Sequence, residues 1–89
     1  MNTPRVLIVM GSDSDFEVMK ECAHGLRGFG IDFDMRVCSA HRTPDAAHEL
    51  STKARENGIQ VIVAAAGLAA HLAGVMAAGT TLPVIGVPL

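Results

Sequence analysis

A parallel β-sheet packed between helices is the fold that this 89-residue sequence predicts, and three observations predict it. A strand pattern, a small-residue turn and a helix pattern follow one another three times, and a fourth strand closes the series. Two of the strand patterns, residues 5–10 and 60–66, are aliphatic throughout after a polar first residue, as expected of strands buried on both faces. Successive strands begin about 25–30 residues apart, the length of a βαβ crossover.

Each element has its own signals. The first strand, Arg5-Val-Leu-Ile-Val-Met10, ends in the turn Gly11-Ser-Asp-Ser-Asp15. Ser14 and Glu17 are spaced as a capping box for the helix that follows. Val18, Met19, Cys22, Ala23 and Leu26 recur along it as one apolar face, and Gly28 and Gly30 stop it. In the second strand Ile31, Phe33, Met35 and Val37 alternate with Asp32, Asp34, Arg36 and Cys38, which predicts one wet face and an edge position. Thr43-Pro44-Asp45 opens a second helix, with Thr43 as cap, proline at the first position and the acid at the positive end of the dipole. Asn57-Gly58 closes that helix, and a third strand over 60–66 runs through Gly67 into a small-residue helix around Ala70 to Ala78. A fourth strand covers residues 82–87.

Right-handed crossovers with the second strand at an edge give the order 2-1-3-4, the start of a flavodoxin-like three-layer α/β sandwich. A complete doubly wound domain adds a fifth strand and at least one more helix. Only Pro88 and Leu89 follow the fourth strand, so residues 1–89 are expected to form one partial domain.

Composition narrows the function classes. Hydrophobic residues make up 49% of the chain, with no Trp or Tyr and 3 Phe, so the core is aliphatic and a flavin ring finds no Trp or Tyr to stack on. Net charge is −2 with the basic residues scattered, which suggests neither a nucleic-acid nor an anionic-membrane partner. The apolar run before Gly11 is too short for a signal peptide or a membrane span, and a soluble cytoplasmic protein is expected. Cys22 and Cys38 are the two cysteines and read as buried thiols of a reducing compartment.

In an open parallel sheet, ligands bind beyond the carboxyl ends of the strands, beside the point where strand order reverses. That rule selects residues 11–15, 39–43 and 66–71, all rich in Gly, Ala, Ser and His. In the first, Gly11 permits a tight bend, and Ser12, Ser14 and the helix start suit a phosphate or another anion. The turn is neither a Walker A loop nor a GxGxxG fingerprint. Asp13 and Asp15 would repel a phosphate yet could hold ribose hydroxyls; the alternative is that these residues only cap the helix. In the second, His41 can take and return a proton near neutrality, and Arg42 can pair bidentately with phosphate. The alternative there is a surface His-Arg pair without a partner. In the third, His71 is the one titratable group, read alone as a packed histidine satisfied by a backbone carbonyl. His24 and His48 are expected in solvent, and Cys38 lies close to these loops without an evident base. No HxH, HExxH or clustered Cys/His spacing is present, so no metal site is expected.

Taken together, GSDSD, SAHRTP and AAAGLAAHLAG resemble, in order, the GSxSD turn, the signature loop and the third-strand loop of the 5-(carboxyamino)imidazole ribonucleotide mutases, the class I phosphoribosylaminoimidazole carboxylase catalytic subunits. TLPVIGVP resembles the stretch that follows, so the likeness covers essentially the whole chain. Leu68 and Ala73 depart from the commonest family residues, Gly and Pro. The resemblance implies a purine-biosynthesis isomerase that moves a carboxylate from the exocyclic nitrogen of an aminoimidazole ribonucleotide to ring C4, without metal or cofactor. It implies His41 as the proton carrier, Ser12 and Asp15 with Ser14 and Gly11 at the ribonucleotide, and Arg42 at the 5′-phosphate. Ser39 and Ala40 would shape the wall, while Gly67 and His71 would border the imidazole and CO2. Family members run to roughly twice this length and assemble as homo-octamers, so a fifth strand, a closing loop and a C-terminal helix are expected to be missing.

Two other classes compete. A related carboxylase acts on a pyridinium dinucleotide, and dinucleotide binding would favour it. An inactive flavodoxin-like nucleotide-binding fragment, associating through its fourth-strand edge, is the non-enzymatic reading. A response regulator is excluded, because the third strand ends in Ala-Ala-Gly with no acceptor aspartate.

Overall fold

The computed structural model describes residues 3–67 and 71–89. Four parallel strands, β1 (Val6–Met10), β2 (Phe33–Val37), β3 (Val61–Ala66) and β4 (Val84–Pro88), lie in the order β2-β1-β3-β4, as expected. The register places Val6 opposite both Phe33 and Val61, and Ile62 opposite Val84. Three helices join them: α1 (Phe16–Gly28), α2 (Pro44–Lys53) and α3 (Leu72–Ala78).

Alternation along β1 divides the core in two. Val6, Ile8 and Met10 join Val63 and Ala65 against Met19 of α1. Leu7 and Val9 join Ile62 and Ala64 against Ala47, Leu72 and Met76 of α2 and α3. All of β1 is buried because it has a layer on each side. The α1 layer gathers Ile31, Phe33 and Met35 from the β2 side, so Ile85 of β4, paired with Val63, stays 54% exposed.

Several local expectations are revised. The Ser14–Glu17 capping box does not form. A short 3-10 turn (Asp13–Asp15) precedes α1, and Ser12 caps that turn by accepting the Ser14 N–H. Val18 points to solvent at 57% exposure because the buried stripe of α1 runs through Met19 and Ala23. On β2 the wet face ends before Cys38, which is buried: its N–H donates to Met10 and draws it into the core beside α2. Val37, expected inward, is 53% exposed at the sheet edge.

Helix α2 stops at Lys53, earlier than Asn57-Gly58 suggests, since Asn57 N–H reaches both Lys53 and Ala54 carbonyls and the chain tightens into turns. Gly58 (φ 87) and Gly30 (φ 71) then do the same work, each in the left-handed region. After each, an isoleucine N–H bonds back across the turn, Ile31 to Leu26 and Ile59 to Ala54, in a Schellman arrangement. The expected start of the third helix at Ala70, like Leu68, lies outside the described residues. Among the described residues no helix is long and apolar enough to cross a membrane.

Candidate active site

The carboxyl ends of β1, β2 and β3 converge on a cleft of about 270 Å³. Gly11, Ser12 and Asp15 form one wall, Ser39, Ala40 and His41 another, and Ala66, Gly67 and Leu72 the third. Gly11 follows β1 directly, its N–H bonded to Ala65 at 3.0 Å. A Cβ at Gly11 would sit 3.2 Å from the Ala66 methyl, so any larger residue there needs these two strand ends to part by a few tenths of an ångström. At Gly67, among the described residues, a Cβ would meet the Leu89 carbonyl at an ordinary 3.6 Å.

The Ser12 hydroxyl accepts the Ser14 N–H at 3.3 Å and lies 3.0 Å from the Ser14 hydroxyl. The Ser12 hydroxyl also donates to the Asp13 carboxylate at 3.5 Å, so the Ser14 hydroxyl is the one placed to donate to Ser12 and the turn is bonded within itself. The Ser39 hydroxyl accepts the Arg42 N–H at 3.1 Å, so its own proton is available toward the cleft.

His41 and Arg42 occupy a turn between β2 and α2, and both are exposed. Arg42 does not line the central cleft. It borders an adjoining one of about 520 Å³, together with Gly11, Ser12, Asp13, Ser39 and Thr43. Ser12 and Ser39 belong to both, so an anion at Arg42 would be continuous with a ligand at His41. Ser14 supports Ser12 and lines neither cleft.

His71 is not the packed histidine that its apolar surroundings suggest. It is exposed, with a left-handed backbone (φ 53, ψ 21), and its ring centroid lies 6.4 Å from that of His41, tilted by 54°. On its other side it borders a third cleft, of about 360 Å³, with Gly86, Val87 and Pro88 of β4. Two imidazoles from different loops thus meet over the strand ends. Such groups can pass a proton to or from a small ligand.

Cys38 lies on the floor of the Arg42 cleft, 3.6 Å from the Thr43 hydroxyl. His24 and His48 are exposed on α1 and α2. Sequence reasoning passed over Leu72, the apolar floor, because it reads simply as the first core residue of a helix. It also gave Thr43 to the helix cap. The Thr43 hydroxyl instead donates to the Ser39 carbonyl at 2.8 Å, a partner suggested only by the four-residue separation across the loop.

The sequence profile of the family described as AIR carboxylase matches residues 5–89. The chain belongs to that family. It is 59% identical over 86 residues to the N5-carboxyaminoimidazole ribonucleotide mutase of Pyrococcus abyssi, covering 97% of this chain and 49% of the relative. With the corresponding mutase of Thermotoga maritima it shares 58% identity over 86 residues, covering 97% and 50%. The crystal structure of Treponema denticola PurE superposes with a TM-score of 0.87 at 27% identity, covering 97% of this chain and 55% of that one. That likeness supports the flavodoxin-like fold. The chain spans about half the length of the curated relatives it matches.

Proposed function

We propose that this chain forms one partial mutase domain of purine biosynthesis, over residues 1–89. Its reaction converts 5-(carboxyamino)imidazole ribonucleotide to 4-carboxy-5-aminoimidazole ribonucleotide. The observation that carries the reading is the gathering of Ser12, Asp15, Ser39 and His41 around one cleft, in a chain 59% identical to a mutase.

In this reading Arg42 holds the 5′-phosphate, where its fork suits two phosphate oxygens. Asp15 accepts from ribose hydroxyls, with Gly11, Ser12 and Ser14 beside it. Ser39 and Ala40 form the wall, and Gly67 and His71 border the imidazole. His41 donates a proton to the exocyclic nitrogen as the N–C bond to the carboxylate breaks, releasing CO2 and the aminoimidazole. Ring C4 then attacks CO2 to form the new C–C bond, and the C4 proton returns to His41. The proton account closes with no net change. Retaining CO2 requires that water be excluded. His41 is exposed in this chain, so closure is assigned to further parts of the whole protein or to a neighbouring subunit. Cytoplasmic residence and a homo-octamer with sites between subunits belong to the same reading.

The mutase relatives favour this substrate over a pyridinium dinucleotide. An ultraviolet assay of this chain with the C4-carboxylated ribonucleotide, beside His41→Asn, tests it. Conversion that depends on His41 supports the reading and shows that these residues suffice. Equal conversion by a folded His41→Asn variant removes His41 from proton transfer.

A further inference from the structure

Thr43 stands where a helix cap belongs and does something else. It precedes Pro44 at the start of α2, a position where a threonine hydroxyl ordinarily accepts an N–H of the first turn. Here it makes no such bond and donates to the Ser39 carbonyl at 2.8 Å. That carbonyl also accepts the Thr43 N–H at 2.9 Å, while the Ser39 hydroxyl accepts the Arg42 N–H at 3.1 Å. Three hydrogen bonds therefore close residues 39–43 on themselves, with Ala40 and His41 between the tied ends.

The closed loop is fixed at both sides. Cys38 N–H donates to Met10 of β1 at 2.8 Å, and Ala47 N–H of α2 donates to the Thr43 carbonyl at 3.1 Å. Beneath the loop the Cys38 side chain, 5% exposed, fills the space next to the Thr43 hydroxyl. His41 has no comparable support of its own. Its ring is exposed, and among the described residues its side chain makes no hydrogen bond. The loop backbone therefore fixes where the His41 side chain leaves the chain, with the His71 ring 6.4 Å away between centroids beside it.

We propose that Thr43 is a positioning residue for His41: its hydroxyl holds the Ser39 carbonyl and so fixes the loop that aims the imidazole into the cleft. The proposal rests on the mutase reading and deepens it. Without the hydroxyl, the Thr43 N–H alone holds that carbonyl, and two of the three bonds that close the loop remain. Displacing a reacting group by about 1 Å can cost on the order of a hundredfold in rate. The Ser39 hydroxyl still orders the Arg42 amide, so phosphate binding is affected less than proton transfer.

Thr43→Val keeps the branched shape and removes the donor, and Thr43→Ser keeps the donor. Turnover of the C4-carboxylated ribonucleotide by the full chain is measured for both, beside amide hydrogen exchange at Arg42 and Thr43 without ligand. Thr43→Val is expected to lower kcat about tenfold with KM changed by less than about threefold, and to speed exchange at both amides. Thr43→Ser should return kcat and exchange to near the parent values. Unchanged kcat and exchange in Thr43→Val, or equal losses in both variants, would overturn the proposal. If Thr43→Val does not fold, Thr43→Ala replaces it as the donor deletion. A folded parent chain without turnover shows that these residues do not suffice for conversion, and the exchange comparison still decides whether the hydroxyl holds the loop.

Discussion

His71 is the one non-glycine residue at positive φ among the described residues, and it sits beside His41 at the strand ends. A left-handed conformation costs an L-residue about 1–2 kcal/mol, and such strain gathers at functional sites. His71→Gly should therefore raise stability by about 1 kcal/mol in denaturant unfolding while lowering turnover. A variant no more stable than the parent would show that the backbone there is not strained. Cys22 gives a second test at this scale. Burial pushes its thiol above the ordinary 9.0, so the protonated form is favoured by folding. The stabilisation is present below pH 9.0 and is lost as pH rises through the higher folded value. Relative to Cys22→Ala, the parent's advantage in unfolding free energy should shrink above pH 9.0; an advantage that stays constant sinks the idea. Individual site residues were legible where the sheet rule selected a loop: Ser12, Ser39 and His41 all reach the cleft it indicated. The exposure of His71 was not legible, because composition does not reveal a left-handed backbone at a non-glycine residue.

Strand order was readable at the level of elements for a physical reason. A strand covered on both sides has no wet face, so residues 60–66 had to lie inside the sheet and the alternating second strand outside. Helix ends were less readable, because a serine or threonine hydroxyl near a helix start has several partners within reach. Ser12 captured the Ser14 N–H before a capping box could form, and Thr43 turned back to Ser39. Contact between helices was hidden for another reason: it joins residues far apart in sequence. Gly79, just after α3, has an ordinary negative φ of −100, so its backbone does not require glycine. Space does. A Cβ there would run into the hydroxyl of Ser51, a residue of α2 that is 1% exposed and bonded to the His48 carbonyl. Gly79→Ala should cost about 1–3 kcal/mol by overpacking, and adding Ser51→Gly should recover part of the loss. Strict additivity of the two substitutions in a double-mutant cycle would refute the contact.

Across the whole molecule, the same sheet end collects the loops of three crossovers around the cleft. Gly11 to Asp15 comes from the first, residues 39–43 from the second and Gly67 with His71 from the third. A ligand bridging them ties together segments of different crossovers, and it stabilises the folded chain by mass action. At a hundredfold excess over Kd the gain is about 2.7 kcal/mol. For a chain of this size that corresponds to a rise in Tm of roughly 10 °C or more. The 5-aminoimidazole ribonucleotide should produce this rise in the parent chain. At the same ligand concentration Arg42→Ala should show a smaller shift, because the phosphate loses its bidentate partner. His41→Asn should keep most of it, since the imidazole is assigned to the proton and not to the phosphate. Binding and chemistry are separated in this way by one thermal titration. An unmoved Tm at saturating ribonucleotide would count against the cleft as its site. A parent-like shift in Arg42→Ala would place the phosphate elsewhere, with the Ser39 hydroxyl the remaining donor shared by both clefts.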